Sequence, residues 1–389
     1  VNPAQDSYGP NRPHPLTESD PLMRPTFLRR TRGALLAAFV AGTMMLSACS
    51  SSSGSNSNPD SKEIVAFMPS SANSYFVRYF DQAKAEAADH GYKIKIIEND
   101  FDQAEQDQQI QQFIASGERP AAVIFWPSTS EAAVNNARQL SRLAPVVQVG
   151  LQVLPEAEDY VAAFEGQDDV TVGEMAGGLA LEAREEAIKQ GNLDEGEPGN
   201  LIEFSFPENY SAGAARSSGF AEATKEAPFK VLRKEYAGFD ATAGFESANS
   251  LIPRFKDDGI DVVYVHNAEM AVGVVRALEQ NGLKPGKDVT VVVGDANGGK
   301  ALISKGKIFG AVVQSPSIDA ILAVRTAVRL HKHDGESSEG VERVEPTPEL
   351  PEMPDAEPKS ITLMPLLEVT PDNYESLKLW DLGFKDLIT

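Results

Sequence analysis

Cys49 is the only cysteine in the 389 residues, and its thiol is the side chain whose sequence neighbours point most clearly to covalent chemistry. It closes the small-residue run Leu46-Ser47-Ala48-Cys49 and is followed by Ser50. Upstream, Arg24, Arg29, Arg30 and Arg32 make a basic stretch, and residues 34–48 make an apolar core broken only by Gly42, Thr43 and Ser47. Spanning a bilayer takes about 20 apolar residues, so this core is too short to do so. A basic flank, a short apolar core and small residues, in that order, make an export signal with a cleavage point. Residues 1–22 are polar, Pro-rich and unpatterned; they read as an over-extended start, with Met23 where a signal should begin. A lone thiol allows no disulfide within the chain, so a sizeable apolar core must hold the fold.

The segment resembles a bacterial lipoprotein signal with its lipobox. The resemblance implies that residues 1–48 are a signal peptide, that the Cys49 thiol receives a diacylglycerol, and that the cut falls just before it. A buried thiol in an apolar helix is the alternative, and the polar run from Ser50 to Ser55 fits it poorly. Residues 49–62, rich in Ser, Asn and Gly, then read as a lipidated flexible tether. It would hold the protein on the extracytoplasmic face of the cell membrane. Two acyl chains, at about 0.8 kcal/mol per buried methylene, anchor far more firmly than one.

Other chemistry is not signalled. The patterned region has no phosphate-cradling GxxxxGK[ST], no GxSxG elbow and no His pair at metal-binding spacing, so no enzyme, cofactor or metal is expected. His331 and His333 flank Lys332 beside an acidic stretch and read as a solvated helix end. The chain carries 57 acidic against 35 basic residues, a net charge of −22. Five of the basic residues and three of the acidic ones lie before Cys49, so the remainder is more acidic still. That balance argues against nucleic acid and against a polybasic membrane contact.

The elements that could position a site follow from the apolar period. Strands are predicted at 63–68, 93–97, 121–126, 146–149 and 161–164, with helices at 75–90 and 103–116. A second series has strands at 200–204, 231–236, 262–266 and 289–293, with helices at 212–227, 242–256 and 270–281. A helix at 318–331 follows. Residues 334–358 are acidic and Pro-rich without an apolar period, and read as an exposed loop or a disordered insertion. A strand at 361–369 and a short helix at 373–379 end the chain. Strands separated by 10–15-residue helical patterns imply βαβ units and parallel sheets. The expected fold class is α/β, with two similar doubly wound parallel-sheet lobes.

From Lys62 to about Leu382 the chain resembles type I periplasmic solute-binding proteins of the ribose-binding class, which serve ABC importers. Residues 66–76, with Asn73, Tyr75 and Phe76, are similar to that family's first strand and loop. Residues 87–92 and 121–127 match as well. In the second half the markers are residues 214–220, 267–273, 293–295 and 313–316. The resemblance implies that Tyr75, Phe76 and Phe239 stack on a sugar ring while Asn73, Arg216, Asn267, Asp295 and Gln314 bond its hydroxyls. Such a division suits a molecule with apolar faces and a rim of donors and acceptors. Each residue has an ordinary alternative. Tyr75 and Phe76 open an amphipathic helix and suit a core. Asp295 precedes Asn297-Gly298-Gly299 and suits a turn. Arg216 suits a surface ion pair, and Asn267 suits a helix cap.

Departures from the family pattern matter equally. An acidic–basic pair expected after the strand at 146–149 is Gly150-Leu151, a polar residue expected near the third strand's end is Trp126, and an Asp expected after Asn267 is Ala268. A ligand other than ribose, modified, less polar or larger, is therefore expected, with Trp126 stacking where the ion pair is missing. The resemblance further implies three chain crossings forming a hinge, near 164–166, 314–315 and 361–363. The first lobe would be 63–165 plus 315–360, and the second 166–314 plus 361–389. The protein would be a monomer that captures a sugar between closing lobes and delivers it to an ABC permease and, through it, an ATPase. A sensor presenting its closed form to a signalling receptor is the alternative; a DNA-binding repressor is disfavoured, since a signal stands where its basic headpiece would be.

Overall fold

The computed structural model describes residues 58–333, 361–363 and 366–376. Cys49, the expected signal at 1–48, the expected tether up to residue 57 and the 334–358 stretch lie outside the described residues. The first half of the chain runs β1 (Glu63–Pro69), α1 (Ser74–Asp89), β2 (Lys93–Asn99), α2 (Gln103–Ser116), β3 (Ala122–Phe125), α3 (Ser130–Leu140), β4 (Val146–Val149) and β5 (Ala163–Gly166). There follow α4 (Asp169–Lys189), β6 (Asn200–Ser205), α5 (Ser211–Ala223), β7 (Lys230–Tyr236), α6 (Ala241–Phe255), β8 (Val262–Val265), α7 (Ala268–Gln280), β9 (Thr290–Val293), α8 (Lys300–Ile303) and β10 (Gly310–Val313). The last elements are α9 (Pro316–Lys332), β11 (Ile361–Leu363) and β12 (Leu367–Val369).

Two six-stranded sheets result, ordered β11-β5-β4-β3-β1-β2 and β12-β10-β9-β8-β6-β7. All neighbours are parallel except β12, which runs antiparallel to β10. Helices cover both faces of each inner strand, which is why β3, β4 and β8 are short runs buried along their whole length. The strand order reverses beside β1 and again beside β6, the places where open α/β sheets leave a crevice at their carboxyl ends. The fold is the type I periplasmic binding protein arrangement of two α/β lobes.

The chain passes between the lobes at three places. After β5 it enters α4, which packs on α5 and on β8, β9 and β10; after β10 it enters α9, which packs on α1 and on β3, β4 and β5. The third passage joins β11 to β12. Here the structure corrects the sequence reading twice. The single strand expected at 361–369 is two strands, and β11 pairs with β5 in the first sheet, so residues 361–363 do not belong to the second lobe. Residues 371–376 form turns rather than the start of a helix. A third correction concerns His331. It is buried, with Nδ1 against the Tyr92 hydroxyl at 2.8 Å and Nε2 against the Asn58 carbonyl at 3.2 Å, so it is a packed and bonded residue instead of a solvated helix end.

Packing in the second lobe depends on missing side chains. A Cβ on Gly173 of α4 would lie 2.1 Å from the Arg216 carbonyl oxygen, and one on Gly219 of α5 would lie 1.9 Å from that of Val170. The two helices therefore touch backbone to backbone. This contact brings the first turn of α4, with Asp169, against the middle of α5, with Arg216.

Candidate binding cleft

One cleft of about 560 Å3, its open mouth included, is lined by all nine residues of the sequence-derived site: Asn73, Tyr75, Phe76, Trp126, Arg216, Phe239, Asn267, Asp295 and Gln314. Eight of the nine follow the carboxyl end of a strand. Asn73, Tyr75 and Phe76 follow β1, and Trp126 follows β3; Phe239, Asn267, Asp295 and Gln314 follow β7, β8, β9 and β10. Arg216 reaches in from α5.

The ordinary alternatives are present beside the shared location. Asn73 caps α1 by accepting from Tyr75 N at 2.9 Å, and Asn267 caps α7 by accepting from Met270 N at 2.8 Å while donating to the Phe239 carbonyl at 3.0 Å. Asp295 accepts from Asn297 N at 2.9 Å, the bond of a turn former. Tyr75, Phe76 and Trp126 belong to the first lobe's buried core as well as to the cleft wall. Arg216 is not a surface residue. It is 3% exposed, its Nε donates to Asp169 Oδ1 at 2.8 Å, and Nη1 donates to the His266 carbonyl at 2.5 Å.

The charges are set by burial. Burial would lower the Arg216 pKa, but the Asp169 carboxylate beside it, together with Tyr264 and Asp295, more than offsets this and holds the guanidinium charged. Asp169 itself is pushed up by burial, with Arg216 opposing. Burial raises Asp295 to about 7, against the Asn297 bonds and the Arg216 charge, and with Glu269 adding to the rise. Behind the cleft, burial lowers His266 to about 4 despite the Glu203 carboxylate 2.9 Å from its Nε2. The imidazole is thus neutral, with Nε2 donating to Glu203 and Nδ1 facing the Ser205 hydroxyl at 3.3 Å. That network fixes the backbone carbonyl to which Arg216 is anchored.

The first-lobe wall is aromatic where the family pattern is ionic. Gly150 sits at φ 75°, and a Cβ there would come within 2.2 Å of the Trp126 indole. The indole occupies the space that any side chain at 150 would need. Its Nε1 donates across the cleft to the Tyr210 hydroxyl at 3.0 Å. Phe101 stacks on Phe239 from the opposite lobe, with ring centroids 4.2 Å apart and planes 11° apart. Ser74 also donates to Glu269 across the gap. The described conformation is accordingly closed.

Phe101, Gln167, Phe206, Tyr210, Ala212, Glu269 and Asn297 line the cleft too and were missed in the sequence. Phe101 was findable, since it lies just after β2 and just before Asp102, the cap of α2. It is the one non-glycine among the described residues with positive φ, at 56°. Among the described residues no group of His, Cys, Asp and Glu is placed to hold a metal, and no helix is long and apolar enough to cross a membrane.

Two lobes of this topology around such a cleft define a receptor for a small solute, and the chain belongs to the periplasmic binding protein domain family, which matches residues 64–336. Members of that family bind ligands and do not catalyse reactions. The ribose import binding protein RbsB of Escherichia coli (strain K12) is 26% identical over 292 residues, covering 74% of this chain and 91% of that protein. The galactofuranose-binding protein YtfQ of the same organism is 29% identical over 219 residues, covering 53% and 62%. Among solved structures, a galactofuranose binding protein superposes with a TM-score of 0.65 at 23% identity, covering 80% of this chain and 96% of that one. A carbohydrate transporter solute binding protein from Agrobacterium radiobacter in complex with D-arabinose superposes with a TM-score of 0.66 at 20% identity, covering 85% and 99%.

Proposed function

We propose that this protein is the substrate-binding lipoprotein of an ABC importer, capturing a neutral sugar or sugar-like molecule between its lobes and handing it to a permease. The observation that carries the reading is the convergence of Asn73, Tyr75, Phe76, Trp126, Arg216, Phe239, Asn267, Asp295 and Gln314 on one cleft. Aromatic rings supply faces for an apolar ring surface, and the Asp, Asn, Gln and Arg groups supply directional bonds to hydroxyls. Relatives named for ribose and galactofuranose support a sugar as the ligand class. Ligand contacts from both lobes favour the closed form, which docks on the permease and, through it, a separate ATPase. Cys49 carries the lipid anchor on the extracytoplasmic face, and the receptor acts as a monomer without a cofactor.

The wall built from Trp126 against Gly150 makes ribose itself a poor fit and favours a less polar or larger sugar. A thermal-shift screen over pentoses, hexoses, polyols and nucleosides tests the reading. One sugar class should raise the melting temperature by several degrees without being chemically changed. Tight binding of ribose would overturn the ligand assignment, and turnover of the sugar would overturn the receptor assignment.

A further inference from the structure

Two buried side-chain oxygens in the cleft have no partner. Gln167, which follows β5 at the first passage between lobes, is 5% exposed, and its Oε1 accepts no hydrogen bond. Asn297, after β9, is 2% exposed, and its Oδ1 accepts none either. Both residues line the cleft. An amide could in principle be turned over, exchanging oxygen for nitrogen. Here the nitrogens are held. Gln167 Nε2 donates to Asp169 Oδ1 at 3.4 Å, and Asn297 Nδ2 donates to Asp295 Oδ1 at 2.5 Å and to the Gln314 carbonyl at 2.9 Å. Turning the Gln167 amide would set its oxygen against the Asp169 carboxylate, and turning Asn297 would set its oxygen against the Gln314 carbonyl, so the free ends are fixed as acceptors. A buried acceptor without a donor is costly, and such groups mark places where a partner arrives from outside the chain.

We infer that Gln167 and Asn297 are ligand-recognising residues that accept hydrogen bonds from two hydroxyls of the bound molecule. The inference rests on the sugar reading above and narrows it. Asp295 and Glu269 line the same cleft, and Arg216, the one cation among its lining residues, is already paired with Asp169. The site therefore takes uncharged polyhydroxyl compounds with free hydroxyls on that side and rejects phosphorylated or carboxylated sugars.

The test is calorimetry of the whole mature chain with D-ribose, D-glucose, D-galactose, D-allose and myo-inositol, with D-glucose 6-phosphate and D-glucuronate as anionic probes. Gln167→Met and Asn297→Leu remove each acceptor at similar size. With the neutral probe that binds tightest, each variant should lose at least tenfold in affinity. The ligand-free melting temperature of Gln167→Met should stay close to that of the unsubstituted protein, because removal of a buried unpaired oxygen offsets loss of the long Nε2 bond to Asp169. A monodeoxy form of the probe lacking the hydroxyl that Gln167 accepts should bind the unsubstituted protein weakly yet lose nothing further in Gln167→Met. Unchanged affinity in the variants, or tighter binding of an anionic probe, overturns the inference. Loss of affinity matched by a lowered melting temperature of ligand-free Gln167→Met indicates a structural role and overturns it too. Absence of heat with every neutral probe sinks the underlying sugar reading and this inference with it.

Discussion

Asp295 carries the sharpest pH signature at the scale of single residues. Burial lifts its carboxyl to about 7, whereas a ligand hydroxyl donating to it favours the charged form. Ligand binding should therefore release part of a proton near pH 7 and tighten as pH rises from 6 to 8, by up to about tenfold per unit at the lower end. Calorimetry in two buffers of different ionisation enthalpy measures that release directly; proton uptake would contradict it. The residues legible in the sequence were those the family resemblance carried, such as Arg216 within α5 and Phe239 after β7. Gln167 and Asn297 gave no signal, because an amide looks the same in sequence whether its oxygen is satisfied or free. Asn73 and Asn267 show a different limit: each both caps a helix and lines the cleft, so the cap and the site were never exclusive.

Between elements, the junction of β5 with α9 holds a buried pair of carboxyl groups. Glu165 and Asp319 are both fully buried, neither Glu165 carboxyl oxygen has a hydrogen-bond partner among the described residues, and the Tyr75 hydroxyl donates to Asp319 Oδ2 at 2.6 Å. Burial first, and the Asp319 charge second, push the Glu165 carboxyl well above its usual range. The folded protein thus keeps a proton that the unfolded chain gives up above about pH 4.3. Stability falls as pH rises from there through the folded value. Glu165→Gln should raise the melting temperature at pH 7–8, by roughly 1–2 °C per kcal/mol gained in a chain of this length, and flatten its decline above pH 5. A lower melting temperature for the variant would count against a protonated Glu165.

Element prediction from sequence failed where the apolar period was blurred. The 21-residue α4 was missed because Gly173 and Gly177 face α5 while Ala176, Leu179 and Ala180 face the sheet, which leaves no single apolar stripe. The 11-residue α3 was missed because its buried face includes Asn136, bonded to Asp107 at 2.9 Å. Both begin on a side-chain cap, Thr129 and Asp168, which the sequence did display.

For the molecule as a whole, the doubled βαβ pattern was legible because fully buried parallel strands such as Ile64–Met68 write continuous apolar runs. The last crossing was not. Two three-residue strands in different sheets look in sequence like one strand, and only pairing partners separate β11 from β12. The described closed conformation is held by direct contacts across the cleft, Trp126 to Tyr210 and Phe101 on Phe239. Phe101→Ala should remove the stacked pair and shift the ligand-free protein toward open forms, weakening ligand binding about tenfold while leaving the melting temperature nearly unchanged. Small-angle scattering should then show a larger radius of gyration that returns to the unsubstituted value when ligand saturates the protein.

The central claim is that a neutral sugar binds in this cleft against Arg216. Titration calorimetry of the unsubstituted protein and of Arg216→Ala, using the sugar that gives the largest thermal shift, tests it most directly. The account predicts one site per chain in the former and no measurable heat of binding in the latter. Equal affinity in both proteins would contradict it.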